Sequence, residues 1–186
     1  GYAANQGDRC YFCKTELFEI AQKHALQLKL KWVVDGTIVD DLKGHRPGLK
    51  AAAEHEIRHP LLEAGFTKTE VRQLARQMGL EVWDKPSFAC LGSRFAVGVR
   101  VTLDRVGRVG RLENLLRSLG FRQFRVRYHE AGSQEIARIE VPLPELSHLM
   151  DPEVRDTIVQ ACKQEKFHFI TLDLEGFRSG STAGVA

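Results

Sequence analysis

Long apolar runs are missing from this chain: its hydrophobic stretches are short and broken by charges, so no segment is suited to crossing a bilayer. A basic start followed by an apolar stretch is missing too, so nothing reads as a secretory signal. Cysteine is scarce, with four in 186 residues. Without an export signal the expected compartment is the reducing cytosol, and the chain is read as cytoplasmic. Structural disulfides are rare there, and closely spaced thiols are better read as metal-binding or catalytic. Charge of one sign is also lacking: 27 Lys and Arg stand against 24 Asp and Glu, and a net charge of +3 does not argue for nucleic acid. The first residue is not Met, and Gly1-Tyr2-Ala3-Ala4-Asn5 is no natural start, so a piece of a longer protein is expected. No internal repeat or low-complexity segment is visible. What remains is an ordinary soluble composition, 43% hydrophobic and 27% charged. The length suits one large domain or two small ones with a real core.

Periodicity places the elements. Thr15 to about Lys29 predicts a helix, with Thr15 as its cap and Leu17, Phe18, Ala21, Ala25 and Leu28 at helical spacing. Trp32-Val33-Val34-Asp35-Gly36 predicts a buried strand, followed by a polar loop to Gly48. Leu49 to Glu56 and Thr67 to Met78 predict helices, the second opened by the capping-box pair Thr67 and Glu70 and stopped by Gly79. Glu81 to Gly98 has no clean period and holds Pro86 and three aromatic residues, as an ordered loop near a site does. Beyond it, Leu103 to Leu119 reads as a helix weakened by Gly107 and Gly110. Phe121 to Tyr128 and Gln134 to Val141 alternate as a β-hairpin around Ala131-Gly132-Ser133. Asp151-Pro152-Glu153 opens another helix, and Phe167 to Leu174 is a final strand. The expected architecture is α/β: a layer over residues 1–98 whose parallel strand partners lie upstream, then a small α+β domain over 99–186, with the boundary near 97–101.

Arg9-Cys10-Tyr11-Phe12-Cys13-Lys14 is a C-x-x-C motif, whose spacing puts two sulfurs within reach of one metal. A thioredoxin-like redox pair is the rival, but that motif follows a strand and none is evident here. Cys90 offers a third sulfur, with Lys85 and Arg94 flanking it in sequence, the electropositive setting of a reactive cysteine. Cys162 falls mid-helix and is expected in the core. Three thiolates without an obvious fourth suit a four-iron cluster with one open iron. Structural zinc, or two unrelated structural cysteines, are the alternatives.

Several blocks together resemble the LarE family. They are Arg9 to Lys14; Gly36-Thr37 followed by Asp40-Asp41; Arg46-Pro47-Gly48-Leu49; Asp84-Lys85-Pro86 with Cys90-Leu91-Gly92-Ser93-Arg94; Ala137-Arg138-Ile139-Glu140; and Leu172 to Ser181. The resemblance runs from about residue 5 to about residue 182 in the same motif order. It implies a PP-loop ATP pyrophosphatase layer lacking its N-terminal part, followed by an α+β domain for substrate binding or oligomerisation. It also implies a sulfur transferase that adenylates carboxylates of a pyridinium mononucleotide and converts them to thiocarboxylates, in assembly of the nickel-pincer cofactor of lactate racemase. One kind of member gives up sulfur from a single cysteine at the Cys90 position. The other adds two cysteines and a 4Fe–4S cluster, and Cys10 and Cys13 place this chain with the second kind. The implied ligands are Cys10, Cys13 and Cys90, with Cys90, Ser93 and Arg94 as the catalytic group. Asp40 and Asp41 are expected near the nucleotide. Arg125, Arg127, Arg178 and Ser181 are expected near a substrate phosphate, with Glu140 serving Mg²⁺ or orientation. Expected cofactors and partners are the cluster, ATP, Mg²⁺, a sulfide donor and further copies of the chain. This sequence departs from the family in two places: the phosphate-wrapping motif Ser-Gly-Gly-x-Asp-Ser is absent, and Ile38 stands where Asn is usual. The alternatives are a tRNA thiolation enzyme of the same superfamily, which needs a larger basic surface, and a non-catalytic zinc-binding module.

Overall fold

The computed structural model describes residues 1–43, 46–86 and 88–178. These fall into two compact units, one of Gly1–Tyr2 with Gln6–Lys85, the other of Ala3–Asn5 with the described residues from Pro86 onward. The boundary expected near 97–101 lies inside the second unit. Among the described residues, no helix is long and apolar enough to cross a membrane.

The first unit is helical. Helix α1 spans Arg9–Gln27, starting six residues before the expected Thr15, so the C-x-x-C motif lies within its first two turns. No breaker stands between Asp8 and Thr15, and the Thr15 hydroxyl donates to the Tyr11 carbonyl at 3.0 Å. That is the back-bond of a mid-helix threonine rather than a cap. Helix α2, Pro47–Glu54, has Pro in its first turn and packs on α1. The small side chains of Ala51 and Ala52 bury there with Phe18 and Ile57, and Tyr11 and Val33 pack around them. Gly48 makes this approach close: a Cβ would stand 3.2 Å from Cγ of Lys14, which would have to shift by a few tenths of an ångström. A short helix α3, Pro60–Glu63, follows, then α4, Lys68–Gln77. The expected capping box on α4 is present, with the Thr67 hydroxyl accepting from the Glu70 backbone and the Glu70 carboxylate accepting from Thr67.

The expected buried strand at Trp32–Gly36 is not one. Val34 makes a single parallel bridge with Arg58, and Trp32 and Val34 are half-exposed. A strand needs a lateral ladder, and among the described residues Arg58 supplies one rung. Trp32 is instead covered by cations, with Lys31 and Arg58 at 5.4 and 5.1 Å from its ring.

The second unit follows the expected order closely. Helix α5, Leu103–Ser118, is capped by the Thr102 hydroxyl and buries Val109, Leu112 and Leu116. Gly110, expected as a weak point, serves packing: a Cβ there would stand 3.1 Å from the Leu91 side chain. Strands β1, Arg125–Ala131, and β2, Gln134–Glu140, pair antiparallel across a turn at Gly132. Helices α6, Leu146–Met150, and α7, Pro152–Gln164, then lead to β3, Phe169–Leu172, which pairs parallel to β2. One sheet face carries Val126, Tyr128, Ala137 and Ile139, all buried. Arg125 and Arg127 on the other face are buried as well. The side chain of Asn5 donates to the carbonyls of Ala96 and Val99 at 2.6 and 3.0 Å, tying the first residues into this unit.

Cys162 is fully buried on α7, and burial pushes its thiol up to about 12. Cys10, Cys13 and Cys90 are exposed. Alkylation of the native protein at pH 8 is therefore expected to label Cys10, Cys13 and Cys90 and to spare Cys162 until denaturant is added. Intact mass and peptide mapping read this directly, and early labelling of Cys162 would contradict the buried core.

Candidate functional site

The expected site residues gather in two places, each within its own unit. In the first unit, Cys10, Lys14, Asp35, Thr37, Asp41 and Arg46 line a cavity of about 410 Å³. Lys14 faces Asp35 at 3.7 Å and Arg46 faces Asp41 at 3.6 Å, so the walls carry both signs in loose pairs. Asp35 also accepts from the Thr37 backbone at 3.0 Å and meets His59 at 2.6 Å. Burial works to raise the Asp35 carboxyl, but bonds from Thr37 and the adjacent imidazole outweigh it and hold the group below its usual range. Asp40 and Asp41 part company. Asp41 borders the cavity, whereas Asp40 accepts from the Lys68 backbone at 2.8 Å and serves the start of α4. Cys13 lies three residues after Cys10 on α1, with its thiol exposed.

In the second unit, Cys90 sits at the start of a 3-10 turn over Leu91–Arg94. Its thiol is exposed while its backbone is held firmly. The Cys90 carbonyl accepts from the Ser93 amide at 2.9 Å, the Ser93 hydroxyl at 2.8 Å and Nη1 of Arg94 at 3.3 Å. Arg94 does not flank the thiol as expected. Its side chain is 1% exposed and turns inward to a two-point ion pair with Glu113, at 2.6 and 2.8 Å. Its remaining nitrogen reaches the Ala89 carbonyl at 3.1 Å and the Ser93 hydroxyl at 2.9 Å. Glu113 accepts as well from the Val126 amide at 3.0 Å, joining the loop, α5 and β1 through one carboxylate.

Arg127 donates to the Ser93 carbonyl at 2.8 Å and to Glu140 at 2.9 Å. It was expected to hold a phosphate beside Arg125, and its place in the structure is under the Cys90 loop. Glu140 is fully buried and takes Arg138 as well, at 3.2 Å, an ion pair within one sheet face. Arg138 continues to Asp173 at 3.4 Å, which meets Arg178 at 3.7 Å. Arg125 is 6% exposed and stacks over the Phe177 ring at 4.8 Å, and its buried Nη1, like Nε of Arg138, has no hydrogen-bond partner among the described residues. Burial, with the charges of Arg94 and Arg127 nearby, pushes its guanidinium down, so an added anion would be favourable there. Ser181 lies outside the described residues.

Sequence reasoning missed Lys14, Asp35 and Arg46 at the cavity and Glu113 and Asp173 in the buried network. Glu113 had a visible signal: it stands four residues after Val109 and three before Leu116, on the apolar stripe of α5. A carboxylate there demands a buried partner. Among the described residues, no three His, Cys, Asp or Glu side chains are grouped to hold a metal. Cys10 and Cys13 belong to the first unit and Cys90 to the second.

Removing Glu113 leaves the Arg94 charge buried and uncompensated, which costs about 3–5 kcal/mol for a broken buried pair. Glu113→Ala is expected to lower the urea midpoint accordingly, and Glu113→Gln, which keeps two polar contacts, to lower it less. Equal midpoints for wild type and Glu113→Ala would contradict the pair's structural role.

No family model matches the chain. It is 44% identical over 179 residues to an uncharacterized protein of Synechocystis sp., covering 96% of this chain and 65% of that protein. It is 38% identical over 176 residues to the pyridinium-3,5-bisthiocarboxylic acid mononucleotide synthase of Lactiplantibacillus plantarum, covering 95% of this chain and 62% of the synthase. An uncharacterized protein of Methanocaldococcus jannaschii is 30% identical over 175 residues, covering 94% of this chain and 66% of that protein. The chain thus spans less than two thirds of the length of these relatives.

Proposed function

The chain belongs to the LarE-type family, and on that premise we propose that it forms the cysteine-bearing part of an ATP-dependent sulfur transferase. The substrate would be a pyridinium mononucleotide whose carboxylates become thiocarboxylates, the chemistry in the name of the Lactiplantibacillus relative. The wider setting proposed is the PP-loop superfamily and assembly of the nickel-pincer cofactor of lactate racemase, carried out by a cytoplasmic homo-oligomer. The observation that carries the reading is the Cys90 loop, which presents one exposed thiol on a backbone fixed by two buried arginines.

A three-cysteine 4Fe–4S cluster on Cys10, Cys13 and Cys90 is part of the proposal, and the state of the thiols supports it. Cys10, Cys13 and Cys90 are exposed and not in disulfides, while Cys162 is buried and kept protonated. When bound by these residues, the cluster would supply sulfide at an iron that no cysteine occupies. The remaining chemistry belongs to the chain's own groups. A carboxylate becomes reactive once its oxygen is joined to the nucleotide's α-phosphate, because AMP then leaves in place of oxide. Asp41, with Lys14 and Arg46 on the same cavity wall, would hold the nucleotide and its Mg²⁺. Arg125, backed by Phe177 and with Arg178 nearby in sequence, would take the substrate phosphate through its unused Nη1. Arg94–Glu113 and Arg127–Glu140 would hold the Cys90 backbone still, so that the thiol keeps its position during transfer.

Full-length protein purified without oxygen is expected to carry iron and acid-labile sulfide. Cys90→Ala should lose both the iron and sulfur transfer, whereas Cys162→Ala should keep them. Zinc in place of iron, or bleaching by Cys162→Ala to the same extent as by Cys90→Ala, would reject the ligand set. Arg125→Ala should weaken substrate binding about 10- to 100-fold, the loss of one charge-assisted hydrogen bond, and leave the iron content intact. Tight, salt-sensitive binding of total tRNA would favour the tRNA-thiolation reading instead.

A further inference from the structure

The C-x-x-C motif has a property apart from metal binding. Cys10 and Cys13 lie three residues apart within α1, and both thiols are exposed. Regular helix geometry sets their Cα atoms about 5 Å apart. That falls inside the Cα window of about 4.4–6.8 Å for disulfides. The Cβ atoms of such a helical pair are about 5–6 Å apart, wider than a disulfide's, so closure requires the first turn to give, and the N-cap Asp8 makes no side-chain capping bond to hold that turn. The remaining thiols are poor competitors for a local reaction. Cys162 is buried with its thiol pushed up to about 12, and Cys90 is distant in sequence.

We propose that Cys10 and Cys13, when no metal holds them, close a reversible disulfide with each other, making the start of α1 a redox-modified site. The co-reactant is a small disulfide such as oxidised glutathione. One protein thiolate attacks it, forming a mixed disulfide and releasing one reduced glutathione. The second thiolate attacks that intermediate and releases the other. Two S–H bonds are lost and one S–S bond forms. Two electrons pass to the small disulfide, and two protons end on the released thiols. Closure removes two of the three sulfurs assigned to the cluster; that consequence rests on the sulfur-transferase reading, whereas the disulfide does not.

The sequence supplies a direct assay. Trypsin cuts after Arg9 and Lys14, so both cysteines fall in the peptide Cys10–Lys14, while Cys90 and Cys162 fall in others. Metal-free full-length protein is equilibrated in glutathione buffers of rising oxidised fraction, quenched with acid, alkylated and digested. The expected result is a Cys10–Lys14 peptide two hydrogens lighter and unalkylated at the oxidised end, and doubly alkylated after reduction. In Cys13→Ser, Cys10 should accumulate as the glutathione adduct because the resolving thiol is gone. The proposal is overturned if the wild-type peptide takes two alkyl groups across the whole series, stays glutathionylated, or is cross-linked to the Cys90 peptide. Iron uptake is measured separately on the oxidised and reduced protein. A mapped disulfide without iron uptake by the reduced protein would sink the cluster reading alone, and iron uptake without the disulfide would sink this proposal alone.

Discussion

The second unit depends on one buried ion pair. Arg94 and Glu113 are both almost free of solvent, and moving two charges out of water costs several kcal/mol per ion before any return. The pair is tolerable because the guanidinium fork meets the carboxylate at two points and both groups make further hydrogen bonds. Arg94 spends its other nitrogen on the carbonyls of Ala89 and Cys90, and Glu113 takes the Val126 amide as well. A charge pair that fastens a loop to a helix and that helix to a strand is a geometric clamp. Its selection over an apolar pair of similar volume makes sense if the position of the Cys90 backbone matters more than stability.

A second pair repeats the arrangement one layer over. Arg127 joins the Ser93 carbonyl to the buried Glu140, which also receives Arg138, which reaches Asp173. The sheet face is therefore crowded with cations whose carboxylates are shared. Among the described residues, Nη1 of Arg125, under an aromatic ring, and Nε of Arg138 are buried without a hydrogen-bond partner. Such a group is expensive to leave alone, and its cost falls when an anion arrives. By contrast, the first unit rests on the small cluster of Phe18, Ala51, Ala52 and Ile57.

The second unit was legible because its signals are local. Thr102 caps α5, the hairpin alternates around Gly132, and Asp151-Pro152 opens α7. The α4 capping box was equally plain. In the first unit, Thr15 read as a cap because threonine favours helix starts, yet its hydroxyl folds back onto α1 instead. Trp32 to Gly36 has strand composition, but a strand is a relation between segments, and composition cannot supply the neighbour. Site residues divide in the same way. Residue type and motif order pointed to Cys10, Cys90 and Arg94. What Arg94 and Arg127 do depends on Glu113 and Glu140, far away in sequence, and partner choice leaves no periodic trace.

The sulfurs sit on different supports. Cys90 hangs from a backbone fixed by Arg94 and Arg127, so its thiol can vary little more than its own rotamer. Cys10 and Cys13 stand in the first two turns of α1, whose N-cap Asp8 makes no side-chain capping bond. A fixed backbone suits a thiol that must meet a reacting group at one place, since a displacement of about 1 Å at a reacting centre costs about a hundredfold in rate. Under the proposals made above, the two thiols that would take a metal are the same two that would close on each other, so metal binding and oxidation would compete for one short stretch at the start of α1.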